Sequence, residues 1–295
     1  MTGVLWAAIS GIGFGFFQAF NRRAGRSFDA YRATFILIFV SAVILALASL
    51  LTGDLNPLQD MPLIAYVNFA LAGFIHFFLG WTFLSISQEK VGAARTGALV
   101  GATPLFATFI AALAFEEFIR LPVILGVITV VAGVYLVSAS GGMAVGSGKA
   151  KWPDFLFGLG TALCFAISPI FIRGGLEYLP SPILGVTIGM GASALSYGLV
   201  LLFRRDNVHQ GPVPMEAWFY QLAAAIFVGL STWMRWIALD MTAVGVVLAL
   251  GRLNVPVVIL LTPIMVGQLQ ERVNTQVWLG AVLIVAGSLV LIFFS

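Results

Sequence analysis

Charge is what this sequence lacks most. Charged residues make up 9% of the 295 positions, hydrophobic residues make up 60%, and the mean hydropathy is +1.04. A soluble domain carries about 25% charged residues, so this chain has too few to cover a surface that faces water. The composition therefore predicts a polytopic membrane protein, and the net charge of +3 is no indication of a nucleic-acid partner.

The chain also lacks the residues on which most catalytic and metal sites depend. It has one cysteine, Cys164, and two histidines. A single cysteine cannot form an internal disulfide, and no zinc-type, P-loop or serine-hydrolase motif occurs in the sequence. We therefore expect no enzyme activity, no catalytic residue, no metal and no cofactor.

Ten apolar segments are each long enough to span a bilayer, which takes about 20 residues in a helix. Long apolar runs without strict alternation favour helices over a β-barrel, which predicts an all-α protein. The connections between the segments are too short to hold a soluble domain. The segments are residues 4–21, 29–52, 62–86, 93–115, 120–140, 154–175, 182–203, 216–239, 242–268 and 274–294.

The second half of the chain repeats the first. Glu117 is followed by a glycine nine residues later and by Val-Ala-Gly at 131–133, and the same pattern starts again at Glu271, 154 residues further on. Because each half has an odd number of segments, the second half must enter the membrane from the opposite side. The sequence therefore predicts two inverted five-helix repeats, residues 1–140 and 154–295, with a linker at 141–153.

The positive residues predict an orientation in the membrane. Eleven of the fifteen Lys and Arg residues lie in connections that follow odd-numbered segments, and three lie on the other side. Cytoplasmic loops are enriched in Lys and Arg. We therefore expect the odd-numbered loops in the cytoplasm and both termini outside, in a bacterial inner membrane.

The two five-segment halves and their repeated Glu-x8-Gly-x4-Val-Ala-Gly tails resemble the EamA-like branch of the drug/metabolite transporter superfamily. The resemblance covers essentially the whole chain. It implies alternating access around a central cavity lined mainly by segments one to four and six to nine. Members of this branch often export amino acids, and other members of the superfamily carry sugars, choline or drugs. Many members keep both termini inside the cell, which differs from the charge bias of this chain.

The strongest candidate for substrate binding is Arg252, a permanent charge in the middle of segment nine. Pro256 follows it by four residues, and Pro104 occupies the corresponding place in segment four. A proline cannot donate to the carbonyl four residues before it, so the carbonyls of Val100 and Arg252 are freed. Paired helix breaks of this kind point to a transporter's binding site. We expect Arg252 to bind a substrate carboxylate; a structural arginine tied to helix carbonyls or to Asp240 is the alternative.

Other polar and aromatic residues accompany Arg252 in the apolar segments. His76 is suited to proton coupling near neutral pH, and it is equally suited to a hydrogen bond between helices. Arg235 is more typical of an interfacial belt, and Asn254 is more typical of a packing hydrogen bond. The remaining candidates for substrate binding are Gln18, Tyr197, Trp81 and Trp233.

Together these features predict a secondary transporter that exports a carboxylate-bearing, amino acid-like metabolite. Trp81, Trp233 and Trp236 leave open an aromatic cage for a choline-like cation or a drug. A lipid flippase component is the alternative from another class. We expect a small-molecule substrate and the lipid bilayer as partners, and we expect the chain to act as a monomer.

Overall fold

The chain folds into a helical bundle, which the computed structural model describes over residues 1–25, 27–52, 61–115, 120–140, 151–203, 212–266 and 275–294. Within these ranges there is no strand, and ten helical spans are long and apolar enough to cross a membrane. The predicted all-α membrane fold is therefore confirmed. Most of the predicted linker at 141–153 lies outside the described residues.

We number the ten spanning helices α1 to α10 in chain order. Seven of them run as single α-helices in the described part of the chain, and their ends agree with the predicted segments to within three residues. These seven are α1 (Thr2–Ala24), α2 (Ala30–Thr52), α5 (Leu121–Ser140), α6 (Trp152–Leu176), α7 (Pro182–Phe203), α8 (Met215–Met241) and α10 (Thr275–Phe294).

Two helices break where the sequence places a proline. Helix α4 consists of Ala93–Gly101 and Thr103–Phe115, so its break lies directly before Pro104. Helix α9 consists of Val244–Leu250 and Asn254–Val266, which are joined by a 3₁₀ turn that ends three residues before Pro256. A proline is tolerated in the first turn of a helix, where its missing N–H has no partner to lose. Both breaks thus lie next to one of the paired prolines.

A third helix changes its winding without a proline. Helix α3 spans Leu63–Val91, and its middle, Phe74–Gly80, winds as a π-helix. A π turn inserts one extra residue into the helix and leaves some backbone groups without their usual partners, and such turns occur frequently at functional sites. His76 lies inside this turn.

Helices α5 and α10 meet through the glycines of the two repeated tails. A Cβ atom added to Gly133 would lie 2.6 Å from the carbonyl oxygen of Gly280, and one added to Gly280 would lie 2.6 Å from that of Gly133. About two helical turns away, Gly126 faces Gly287 in the same way. Because the earlier glycine of one helix faces the later glycine of the other, the helices run antiparallel, as inverted repeats require.

The core of the bundle forms between the two halves of the chain. Helix α1 packs on α8, α3 on α6, α2 on α7 and α4 on α9. In the repeat, α1 corresponds to α6 and α3 corresponds to α8, so the α1–α8 and α3–α6 contacts are equivalent. The α2–α7 and α4–α9 contacts each join two helices that correspond to one another. Neither half is therefore a self-contained core, and a site at the centre takes side chains from both halves.

Surface contacts at one end of the bundle join neighbouring helices. The Asp154 carboxylate accepts the backbone N–H of Lys151 at 2.8 Å, which caps the start of α6. Lys90 lies 3.4 Å from the same carboxylate, and Arg23 lies 2.6 Å from Glu216. Exposed ion pairs of this kind contribute little to stability, so packing rather than charge holds the helices together.

Large apolar side chains cover the outer faces of the helices. A continuous apolar surface of this kind is unstable in water and suits contact with lipid chains. Together with the ten spanning helices, it defines an integral membrane protein. Examples of these exposed side chains are Phe109, Leu113, Leu195, Leu202 and Phe293.

The glycine contact between α5 and α10 predicts a stability change. Gly133→Ala and Gly280→Ala each place a methyl group against a backbone carbonyl that cannot move aside. We expect each to destabilise the purified protein by about 1–3 kcal/mol, as overpacking does, even though alanine raises helix propensity by up to about 1 kcal/mol. Thermal unfolding in detergent measures the effect.

The matched control is Gly191→Ala, because a Cβ at Gly191 meets no heavy atom within 4 Å. This variant should unfold at the wild-type temperature or slightly above it. Equal unfolding temperatures for all three variants would contradict the close contact between the two tails.

Candidate functional site

A buried histidine links three helices near the centre of the bundle. His76 on α3 is 6% exposed. Its Nδ1 lies 2.9 Å from the Ser168 hydroxyl on α6, and its Nε2 lies 3.0 Å from Nη2 of Arg235 on α8. The imidazole also stacks on Phe165, with ring centroids 4.4 Å apart. The π turn in α3 therefore places an ionisable ring at a junction of both halves.

The partners of His76 determine which of its ring nitrogens carries the proton. An arginine only donates hydrogen bonds, so Nε2 of His76 has to accept from Arg235. The proton of the neutral ring then lies on Nδ1, which donates to the Ser168 oxygen. The Ser168 hydroxyl is 3.4 Å from the carbonyl oxygen of Phe165, to which it donates in turn. The hydrogen bonds thus form one chain that begins at a guanidinium.

Arg235 lies inside the bundle, and the interfacial position expected for it is wrong. It stands six residues before the end of α8, about 9 Å along the helix axis at 1.5 Å per residue. Its guanidinium carbon is 5.0 Å from the centroid of the Phe14 ring on α1, a distance suited to a cation–π contact. Its Nε atom is buried and has no hydrogen-bond partner among the described residues.

Arg252 reaches across from one helix break to the other. Its Nη2 donates to the carbonyl oxygen of Val100 at 2.7 Å, and the Thr103 hydroxyl donates to the same oxygen at 2.6 Å. This carbonyl is the one that Pro104 leaves without its helical N–H. The tie to a helix carbonyl that the sequence left as an alternative is therefore formed, and it uses one of the five N–H groups of the guanidinium.

The two interior arginines have no carboxylate partner in the described part of the chain. The acidic residues of that part all lie at or beyond the ends of spanning helices. The Asp240 carboxylate, considered as a partner for Arg252, is exposed and forms no ion pair with it. These acidic residues are Asp29, Glu89, Asp154, Glu177, Glu216 and Asp240.

Arg235 and the turn that carries Arg252 lie against the same stretch of helix α1. A Cβ at Gly11 would clash with the Leu250 carbonyl oxygen and lie 3.2 Å from the Cα of Gly251, which places the 3₁₀ turn of α9 directly against α1. Phe14, under Arg235, is three residues further along α1, about 4.5 Å at 1.5 Å per residue. Both arginines therefore lie in the same part of the bundle.

Tyr197, a predicted binding residue, braces the π turn. Its ring is 2% exposed. Its hydroxyl lies 3.2 Å from the carbonyl oxygen of Phe77, 3.4 Å from that of Phe78 and 3.2 Å from the Thr82 hydroxyl. Carbonyls within the π turn thus gain a donor from α7.

The tryptophans are packed against other aromatic rings. The Trp81 ring stacks on Phe17 with centroids 5.8 Å apart, and Trp236 is 1% exposed beside Phe69. Trp233 is partly buried against the same core. Because Trp236 is buried and Trp81 has one face covered, the three rings do not form the open cage that a quaternary ammonium needs.

Two polar candidates are placed without a clear contact to the centre. Gln18 is partly buried on α1. The Oδ1 atom of Asn254 is buried and has no hydrogen-bond partner among the described residues. The packing hydrogen bond expected for Asn254 is therefore not made by that oxygen.

Sequence reasoning missed Arg235, Ser168 and Phe14 as parts of the centre. A pattern on one helix cannot show which residue of another helix it meets. One signal was available: Arg235 and His76 are polar residues in segments eight and three, which correspond in the repeat, and a buried imidazole needs a donor or an acceptor.

The fold and the central cations define a polytopic membrane protein with a polar centre between inverted halves. The sequence model of the EamA-like transporter family matches residues 1–139 and 152–293. The chain therefore belongs to the EamA-like transporter family and is a membrane transporter of the drug/metabolite superfamily, which confirms the resemblance drawn from the sequence.

A solved structure supports the same fold. One protein of known crystal structure superposes with a TM-score of 0.77 at 18% sequence identity, over 98% of this chain and 94% of the other. At this identity the likeness concerns the fold alone. No curated protein sequence matches the chain.

Proposed function

We propose that this chain is a secondary transporter that carries a small carboxylate-bearing, amino acid-like metabolite by alternating access. The observation that carries the proposal is the Arg252 guanidinium, which lies at the centre of the bundle and has a neutral carbonyl as its partner. A carbonyl satisfies one N–H but does not cancel a charge. A substrate carboxylate does both, because it accepts two parallel hydrogen bonds from an arginine.

The position of Arg252 also supports alternating access. The guanidinium belongs to the break in α9, and its acceptor belongs to the break in α4, so the contact joins the two halves at their equivalent points. A carboxylate that binds Arg252 competes with the Val100 carbonyl for the same donors. Binding of the substrate would thus loosen the contact between the halves and favour their relative movement.

The proposal also includes the direction of transport and the orientation of the protein in the membrane. Export rests on analogy with other members of the family. The excess of positive residues in the odd-numbered loops supports a bacterial inner-membrane protein with both termini outside, and we propose that it acts as a monomer.

Alkaline phosphatase fused to the C-terminus tests this orientation, because the enzyme folds only outside the cytoplasm. The fusion should be active, and a green fluorescent protein fused at the same place should be dark. An inactive phosphatase together with a fluorescent fusion would reverse the orientation.

The proposed role of Arg252 predicts that compounds with a carboxylate bind and that the corresponding amides do not. L-amino acids should stabilise the purified wild-type protein against heat, and the corresponding amino acid amides, which lack the carboxylate, should not. Arg252→Ala should weaken carboxylate binding about 10- to 100-fold, since a hydrogen bond to a charged group contributes about 1.5–3 kcal/mol. Thermal-shift titration and tracer exchange in proteoliposomes measure both effects.

Arg32→Ala is the control, because Arg32 is an exposed arginine near the start of α2. It should bind and exchange the same compounds as the wild type. Amides that bind as well as acids, or an Arg252→Ala variant with wild-type affinity for the acids, would remove Arg252 from the site.

His76 is the proposed proton-coupling residue, and the charged group in contact with it is Arg235. His76→Gln keeps a side chain that can accept from Arg235 and donate to Ser168, but it cannot titrate. Exchange by this variant should continue and should no longer respond to an imposed pH gradient. His209→Gln, which changes the other histidine, should respond as the wild type does. A gradient response that survives His76→Gln would assign the coupling elsewhere.

A further inference from the structure

Arg235 has donors that the protein does not use. One of its N–H groups donates to His76, and its Nε–H is buried without a partner among the described residues. The Phe14 ring holds the guanidinium in place from the α1 side. A buried N–H without an acceptor is unfavourable, so this donor is open to an acceptor on a bound ligand.

The hydrogen bond to His76 does not by itself require an arginine at this position. A neutral amide could donate to the same imidazole nitrogen without bringing a permanent charge into the bundle. A second cation in a poorly hydrated centre is retained most readily if the ligand neutralises it.

The charge of the centre sets the charge of the ligand that fits it. Arg235 and Arg252 together contribute two positive charges, and the described residues place no carboxylate between them. A ligand with one carboxylate neutralises one of the two arginines. A ligand with two acidic groups, separated by a few carbon atoms, neutralises both.

We infer that Arg235 is a second anion-binding residue of the proposed site and that the preferred substrate class is a small dicarboxylate, in which one carboxylate binds Arg252 and the other binds Arg235. This inference rests on the proposed function and names its substrate more narrowly.

The test uses linear dicarboxylates of three to six carbon atoms, each compared with its own monoamide. The two compounds of a pair have the same length and differ by one charge. At least one dicarboxylate should bind the purified wild-type protein ten times more tightly than its monoamide, as measured by thermal-shift titration and by competition with tracer exchange in proteoliposomes.

Arg235→Gln then assigns the second carboxylate. Glutamine can still donate to His76, so the centre keeps its hydrogen bond and loses one charge. In this variant the dicarboxylate and its monoamide should bind equally, with the monoamide close to its wild-type affinity. Arg235→Lys keeps the charge and should keep the preference for the dicarboxylate.

Failure of this inference and failure of the proposed function give different results. Monoamides or monocarboxylic amino acids that bind wild type as tightly as every dicarboxylate would overturn the dicarboxylate inference and leave a single-carboxylate site at Arg252. A tenfold preference that persists in Arg235→Gln would also overturn the role of Arg235. No binding by any carboxylate would overturn both. The wild-type comparison decides the substrate class even if Arg235→Gln does not fold.

Discussion

The cost of holding a guanidinium charge away from water is the constraint on which the centre of this protein depends. Moving an ion into a protein interior costs several kcal/mol even after relaxation, and this bundle holds two part-buried arginines between its helices. Their partners are a backbone carbonyl, an imidazole and an aromatic ring, all of them uncharged. These contacts satisfy some of the N–H donors but do not neutralise the charge. A bound anionic ligand would neutralise it.

The same irregularities that weaken three helices create those partners. Pro104 frees the Val100 carbonyl in the first half, and Arg252 of the second half uses it. The π turn of α3 brings His76 to Arg235 and Ser168, and Tyr197 supplies a donor for carbonyls within that turn. Regular helices would bond all of these backbone groups internally. The irregular backbone is thus confined to the place where the two halves meet around charged side chains.

The sequence predicts the scaffold better than the centre, and particular residues show why. Ten long apolar runs and a repeat offset of 154 residues are properties of the chain itself, and the glycines of the repeated tails do form the α5–α10 contact. The proline breaks follow from a missing N–H, which is also local. The π turn carries no proline, so no local signal marks it. Arg235 stands near a helix end, and only the packing of α8 against α1 and α3 shows that it turns inward.

A structure of the protein with a bound carboxylate ligand tests the central claim most directly. The account predicts carboxylate oxygens within about 3 Å of the Arg252 guanidinium, the distance of a charge-assisted hydrogen bond, in a site enclosed by α1, α4, α8 and α9. A ligand bound elsewhere in the bundle, with Arg252 still paired to the Val100 carbonyl alone, would contradict it.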